Sequence, residues 1–262
     1  MSSHSPQSTH FAARPVISSW RNALSHTPPE LRPILIACTL SAANRPKLII
    51  PLVQQVLADI AAGSLTITYD SSSSKPAGNI PASLDATFTE QVLFIRKLRE
   101  GLYKVSVLIG GPYCINALGA VNTAITPELS ASVNAYGPLR PANALTPDEY
   151  QRRGQDLFQA IYKDFTDMVL TKIGDSSQDL VQSILGDSYG RILSETALIN
   201  VPETELCLVA TLVALDVGPQ LKSHIYGARN VGVPKEQVQE LVTVAESITQ
   251  WIRDHFNDKS SL

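Results

Sequence analysis

Three tetrapeptides limit what this chain can fold into: TPPE at 27–30, TPDE at 146–149 and NVPE at 200–203. Each places a side-chain acceptor three positions before a glutamate, with proline inside the first turn. In that pattern the cap oxygen takes an orphan N–H of the new helix and the glutamate reaches back to the cap's own N–H. The proline loses nothing there, because its position has no intrahelical partner. ITPEL at 125–129 is a shorter version of the same signal.

Helical periodicity follows these starts. After Thr146, Leu157, Ile161, Phe165 and Met168 recur at three- and four-residue steps. After Gly232, Val238, Leu241, Val242, Ala245, Ile248 and Ile252 do the same, so each run carries one apolar stripe. Residues 31–60 and 90–109 also read as helices, with Pro46 and Pro51 marking a break and a restart. LTITY at 65–69 alternates, but it runs directly into DSSSSKPAGNIP. Residues 63–87 therefore read as a surface insertion, with a short hairpin arm at most. The Pro/Gly-rich NAYGPLRPANAL at 134–145 reads as a linker. The expected architecture is all-α: a flexible N-terminal segment 1–26, a first half 27–130, a linker 131–145, a second half 146–256 and a tail 257–262.

Composition narrows the function classes. The chain has 262 residues, 44% of them apolar, enough for a sizeable core. A net charge of −3 with scattered Lys and Arg, and only 6% aromatic residues, gives no reason to expect nucleic acid as a partner. No apolar run reaches the roughly 18 residues of a membrane helix, and LCLVATLVAL at 206–215 fits a buried core helix instead. The three cysteines, Cys38, Cys114 and Cys207, are far apart with no metal-ligand spacing, as expected of small buried hydrophobes in a reducing compartment. The expectation is a soluble intracellular protein without membrane insertion.

The two ends bear on address. No acid precedes Glu30, and Arg14 and Arg21 lie among many serines, as in mitochondrial transit peptides, but Pro15 interrupts an amphipathic helix there. The chain finishes Ser260, Ser261, Leu262, similar to a Ser-Lys-Leu peroxisomal signal with serine for the central lysine and Lys259 just upstream. The peroxisomal matrix, by way of its import receptor, is placed ahead of the mitochondrion.

At ETELCLVATLVALDVGPQLKSHIYGARNVGVPKEQVQELV, 203–242, the sequence resembles the carboxymuconolactone decarboxylase family, which has the alkylhydroperoxidase-D-like all-helical fold. The matching elements are Glu205 near the start of an apolar helix, a short turn, His224 on the next helix, GARNVG at 227–232 and KEQVQEL at 235–241. DSYGRIL at 187–193 also resembles a family feature. The Gly-Pro and Asn-Ala-Leu that normally end the pattern are absent after Glu240. They reappear in the first half, where Glu100, Gly111, Pro112, Asn116 and Leu118 stand in EGLYKVSVLIGGPYCINAL. RPKLIIP at 45–51 resembles GPQLKSH at 218–224, which puts Pro51 where His224 stands. The chain thus reads as two degenerate repeats packed together, only the second keeping the histidine.

The resemblance implies a cofactor-free, metal-free small-molecule enzyme, a lyase of the decarboxylase kind acting on a carboxylated lactone or related acid. His224 is then the general acid/base and Glu205 the carboxylate that fixes its tautomer. Tyr189, Arg191 and Gln220 are the candidate substrate-lining residues. Family members assemble, so a homo-oligomer, with a dimer the guess, is expected. Peroxidase members carry a C-x-x-C before the histidine. Here those positions are Val217 and Gln220, so no thiolate is available for peroxide.

Two physical checks accompany this reading. On a hairpin turning near Val217, Glu205 and His224 are offset by roughly 8 Å along the axis, a gap to be closed by a crossing angle, a water or the long glutamate. Glu205 also lies near a helix start, where an acid is favoured whatever its function. Replacing His224 by alanine is expected to end turnover while leaving the melting temperature nearly intact. The alternatives are a non-catalytic binding or scaffold protein, and a redox sensor in which two cysteines approach within about 7 Å Cα–Cα.

Overall fold

A computed structural model describes residues 6–67 and 85–256, with side chains from Pro15 onward. Most of the expected insertion at 63–87, and the terminal Ser260, Ser261 and Leu262, lie outside the described residues. The helices are α1 (Pro6–Ala23), α2 (Arg32–Ala42), α3 (Ile49–Ala61), α4 (Ala86–Lys104), α5 (Ser106–Ala124), α6 (Pro127–Asn134), α7 (Pro147–Tyr162), α8 (Thr166–Ser176), α9 (Gln178–Ser183), α10 (Val201–Leu215), α11 (Gly218–Asn230) and α12 (Lys235–His255). Short 3₁₀ turns precede α3 and α8, and a π-helix spans Ile184–Leu193. No strand occurs among the described residues.

Two helices form the centre. In α10 every residue from Thr204 to Leu212 is buried, and in α2 every residue from Pro33 to Ala42. A helix apolar around its whole circumference is stable only when covered on all sides. Accordingly α2 and α10 pack along one another, α4 and α5 cover α2, and α11 and α12 cover α10. The two central helices end alike. Thr39 and Thr211 each donate a hydroxyl hydrogen bond to the carbonyl four residues back, and five residues later Asn44 and Asp216 turn the chain at φ 54° and 55°.

Helix starts follow their chemistry in most places. Thr146 with Glu149, and Asn200 with Glu203, each form the full reciprocal capping box, and Thr126 accepts from Leu129 N. TPPE does not form its box. Thr27 is buried, and its hydroxyl lies 3.5 Å from Gln237 Nε2 of α12. Residues 28–31 make a turn, and α2 begins at Arg32 with Pro33 in its first turn. A tertiary contact has displaced the local cap. Pro51 falls in the first turn of α3, and Gly110 takes φ 74° to kink α5 just before Pro112.

Two further expectations are corrected. Pro15 does not interrupt a helix in the segment 1–26: α1 runs across it and buries Ile17 and Trp20, Leu24 is buried just beyond its end, and Trp20 stands edge-on to Trp251 at 5.4 Å. The helix after Thr146 is not continuous either. It stops where Lys163 turns left-handed at φ 46°, so the stripe divides: Leu157 and Ile161 are buried, whereas Phe165 and Met168 are 46% and 61% exposed.

The tightest approach in the fold lies between α7 and the π-helix. A Cβ on Gly154 would stand 1.8 Å from Leu185 O, and one on Gly190 2.0 Å from Tyr150 O. Backbone meets backbone here, and no rotamer change relieves the clash. Gly154→Ala is therefore expected to destabilise by about 3 kcal/mol or more. Gly119→Ala on α5, with nothing within 4 Å of its added carbon, is expected to be neutral or stabilising by about 0.5 kcal/mol. Urea midpoints of the two variants check this, and a Gly154→Ala midpoint equal to wild type refutes it.

Candidate acid–base site

Glu205 enters the site from the second turn of α10. The first-turn acid is Glu203, which is occupied in capping, so the preference for acids at helix starts does not account for Glu205. Its side chain is wholly out of solvent, and Oε2 lies 3.0 Å from His224 Nδ1 on α11. The axial offset between the two residues is closed by direct contact. Oε1 has no hydrogen-bond partner among the described residues. With a carboxylate at Nδ1, the proton of the neutral imidazole sits on Nδ1 and the Nε2 lone pair is left available.

Glycine makes the approach possible. A Cβ on Gly227, three residues after His224, would fall 2.9 Å from Glu205 Oε2 and 2.5 Å from Ile161 Cγ2. Asn230 then ties the end of α11 to α7, donating to Ile161 O at 2.7 Å.

Two phenols complete the group. Tyr189, on the π-helix, and Tyr162, at the end of α7, have hydroxyls 3.3 Å apart, and the Tyr162 ring stands edge-on to His224 at 6.2 Å. Burial pushes the Tyr189 phenol well above its usual range, with the Tyr162 hydroxyl and the Glu205 charge adding to the shift. Burial likewise raises Tyr162; its bond to Tyr189 works the other way, and the Glu205 charge again raises it. Both phenols are therefore held protonated beside the carboxylate.

The sequence-derived candidates thus separate. Glu205, His224 and Tyr189 come together, joined by Tyr162, which the sequence did not single out. Arg191 is elsewhere, exposed, with its guanidinium 4.2 Å over the Tyr150 ring. Gln220 is solvent-exposed one turn before His224. Two surface clefts stand out, of about 610 Å³ beside Asp216, Gly218 and Arg253 and about 480 Å³ beside Arg99, Tyr103 and Arg140; neither is lined by Glu205 or His224.

The cysteines take no part in this group. Cys38 and Cys207 are fully buried and meet across the α2–α10 contact. A hydrogen bond with Cys207, together with burial, raises the Cys38 thiol well above its usual range, so neither the thiolate nor the access that reactivity needs is provided. Cys114, on α5, is also buried, with its thiol 3.6 Å from Leu102 O.

In a second polar group only Glu100 had been singled out from the sequence. Lys104, fully buried at the end of α4, donates to Leu193 O at 2.7 Å and to Thr204 Oγ1 at 2.8 Å, pinning the turn of α10 that carries Glu205. Beside it Arg140, from the expected linker, clamps the buried Glu100 with both terminal nitrogens and also donates to Arg191 O and Ile192 O. Nothing in the spacing of a loop arginine announces such a role.

The all-helical fold and the Glu–His pair across a short hairpin place the protein in the alkylhydroperoxidase-D-like class. The sequence pattern of the carboxymuconolactone decarboxylase family matches residues 190–254, and the chain belongs to that family. It is similar to Peroxisomal protein 2 of Schizosaccharomyces pombe, 37% identical over 155 residues that cover 59% of this chain and 69% of that one. Peroxisomal protein 2 of Saccharomyces cerevisiae is 28% identical over 173 residues, covering 59% of this chain and 61% of its own. No solved structure matches the chain.

Lys104 gives this region a pH signature. Burial lowers its pKa from 10.5 to about 8, against the opposing pull of Glu100. Between about pH 8 and 10.5 the unfolded chain therefore binds a proton that the folded chain does not, and linkage makes stability rise with pH across that window. The wild type is expected to gain stability relative to Lys104→Met between pH 7.5 and 9.5, read from denaturant midpoints. A difference that stays constant with pH would show that Lys104 titrates normally.

Proposed function

We propose that this protein is a cofactor-free small-molecule enzyme of the decarboxylase kind, acting on a carboxylated lactone or related acid, with His224 as the general acid/base. The observation that carries this reading is the 3.0 Å bond from His224 Nδ1 to a carboxylate that is wholly buried. Glu205 fixes the tautomer and stabilises the imidazolium, so that Nε2 is the atom that moves the proton. Loss of CO₂ leaves an electron pair on the substrate carbon. The imidazolium Nε2–H supplies the proton that closes that carbon, and the ring is reprotonated from solvent. The protonated Tyr162 and Tyr189 hydroxyls stand in reserve as neutral donors to developing negative charge.

A second reading is favoured by one observation: neither surface cleft is lined by the pair. In that reading the protein is a non-catalytic member of the family, and the pair is a structural bond between α10 and α11.

One set of variants distinguishes the two. Because Glu205 is wholly buried, His224→Ala strands a carboxylate, and the expected cost is about 3–5 kcal/mol. An unchanged melting temperature is therefore no longer expected of that variant. His224→Gln keeps an amide donor for Oε2 but has no group that cycles a proton. It is expected to recover most of the stability lost by His224→Ala and to show turnover at least about 100-fold below wild type. Wild-type turnover in His224→Gln, with acids found by ligand-dependent thermal shift, sinks the catalytic reading.

A peroxisomal location is proposed on the names of the two relatives. We also infer that the two halves descend from one duplicated unit, a reading supported by the matched endings of α2 and α10.

A further inference from the structure

The cleft of about 480 Å³ between α4, α5, α6 and the 137–140 segment has an unusual charge balance. Its lining includes three guanidiniums, of Arg96, Arg99 and Arg140, against the single carboxylate of Glu100, in a chain whose net charge is −3. Arg140 is spoken for by Glu100, and Arg96 lies 3.9 Å over the Tyr136 ring. Arg99 is different. Its Nη1 donates to Asn134 Oδ1 at 2.8 Å and its Nη2 to Asn122 Oδ1 at 2.6 Å, both neutral acceptors. No carboxylate among the described residues pairs with it, although partial burial disfavours its charge.

A half-buried cation held by two amides is positioned but not neutralised. Of the five N–H groups of a guanidinium, these two bonds use one on each terminal nitrogen, so Nε–H and one on each remain as donors. The opposite walls are apolar: Leu118, Leu139 and Leu198, with Tyr103 37% exposed at the rim. The Arg140 guanidinium stands 5.0 Å from the Tyr103 ring, so the rim itself is a cation–aromatic surface.

We propose that this cleft is a binding site for an organic carboxylate with a flat apolar body, its carboxylate on Arg99 and its body against Tyr103 and the leucines. An inorganic anion satisfies Arg99 but leaves the apolar walls in water, whereas a neutral hydrocarbon leaves the cation unpaired. Only a ligand with both parts meets both demands. The site is separate from the Glu205–His224 pair and does not depend on that pair being catalytic.

The test uses the full chain and three probes by calorimetry: 1-naphthoate, its neutral analogue 1-naphthalenemethanol, and inorganic phosphate. Saturable one-to-one binding of naphthoate is expected, with the alcohol and phosphate each at least about tenfold weaker. Arg99→Gln is expected to weaken naphthoate by about tenfold or more, while Arg253→Gln, in the other cleft, leaves it unchanged. Should Arg99→Gln fail to fold, the Asn122→Ala/Asn134→Ala variant, which frees the guanidinium without removing it, is expected to weaken naphthoate severalfold. The proposal is overturned if naphthoate does not saturate, if the alcohol binds as well as the acid, or if phosphate binds as tightly as naphthoate. It is equally overturned if Arg253→Gln abolishes binding, or if neither the Arg99 nor the asparagine variant weakens it.

Discussion

From Thr204 to Leu212 helix α10 has no face for water, and the other helices are arranged to meet that demand. Its buried run from Thr204 to Leu212 is covered by α2, α4, α11 and α12. A carboxylate in such a helix has no route to solvent. Glu205 must find its partner inside, and His224 is delivered to it because the left-handed Asp216 folds α11 straight back onto α10. The acid–base pair and the core are thus one arrangement. The same burial that gives the imidazole a fixed tautomer makes its removal destabilising, because the carboxylate left behind cannot be hydrated.

What was legible in the sequence was what neighbouring residues decide among themselves. The boxes at Thr146 and Asn200 formed because cap and glutamate lie within one turn of each other. Glu205 and His224 were visible through a family pattern, with their direct contact left open by helix geometry alone. What failed to show was decided from a distance. Thr27 lost its capping role to Gln237, more than two hundred residues away. Pro15 did not prevent α1, because α3 and α12 supply a surface for Ile17 and Trp20. The cluster of Lys104, Glu100 and Arg140 joins α4 to a loop with no periodicity to read.

That cluster also shows how the expected linker acts as structure. Arg140 fills a charge demand created by Glu100 on α4 while bonding two carbonyls at the end of the π-helix. Residues that look like a tether in composition therefore fasten the first half to the element that carries Tyr189. A polar network satisfied on both sides fixes the relation of the two halves more sharply than apolar packing alone, because a slip of one residue leaves Glu100 or Lys104 buried and unpaired.

The two halves differ most where they are otherwise most alike. Helices α2 and α10 share the hydroxyl back-bond and the left-handed ending, but α2 carries no carboxylate, and Pro51 stands in the first turn of the helix that follows it. Without a buried carboxylate to satisfy, α3 is free to be apolar, and Ile49, Leu52, Val53, Val56 and Ile60 are all buried. An apolar α3 adds hydrophobic stability that a buried ion pair does not reliably supply. Pro51 is tolerated because α3 is only beginning there. The first half therefore supplies core, and the polar chemistry of this hairpin pair is confined to the second half, where Gly227 lets Glu205 and His224 meet.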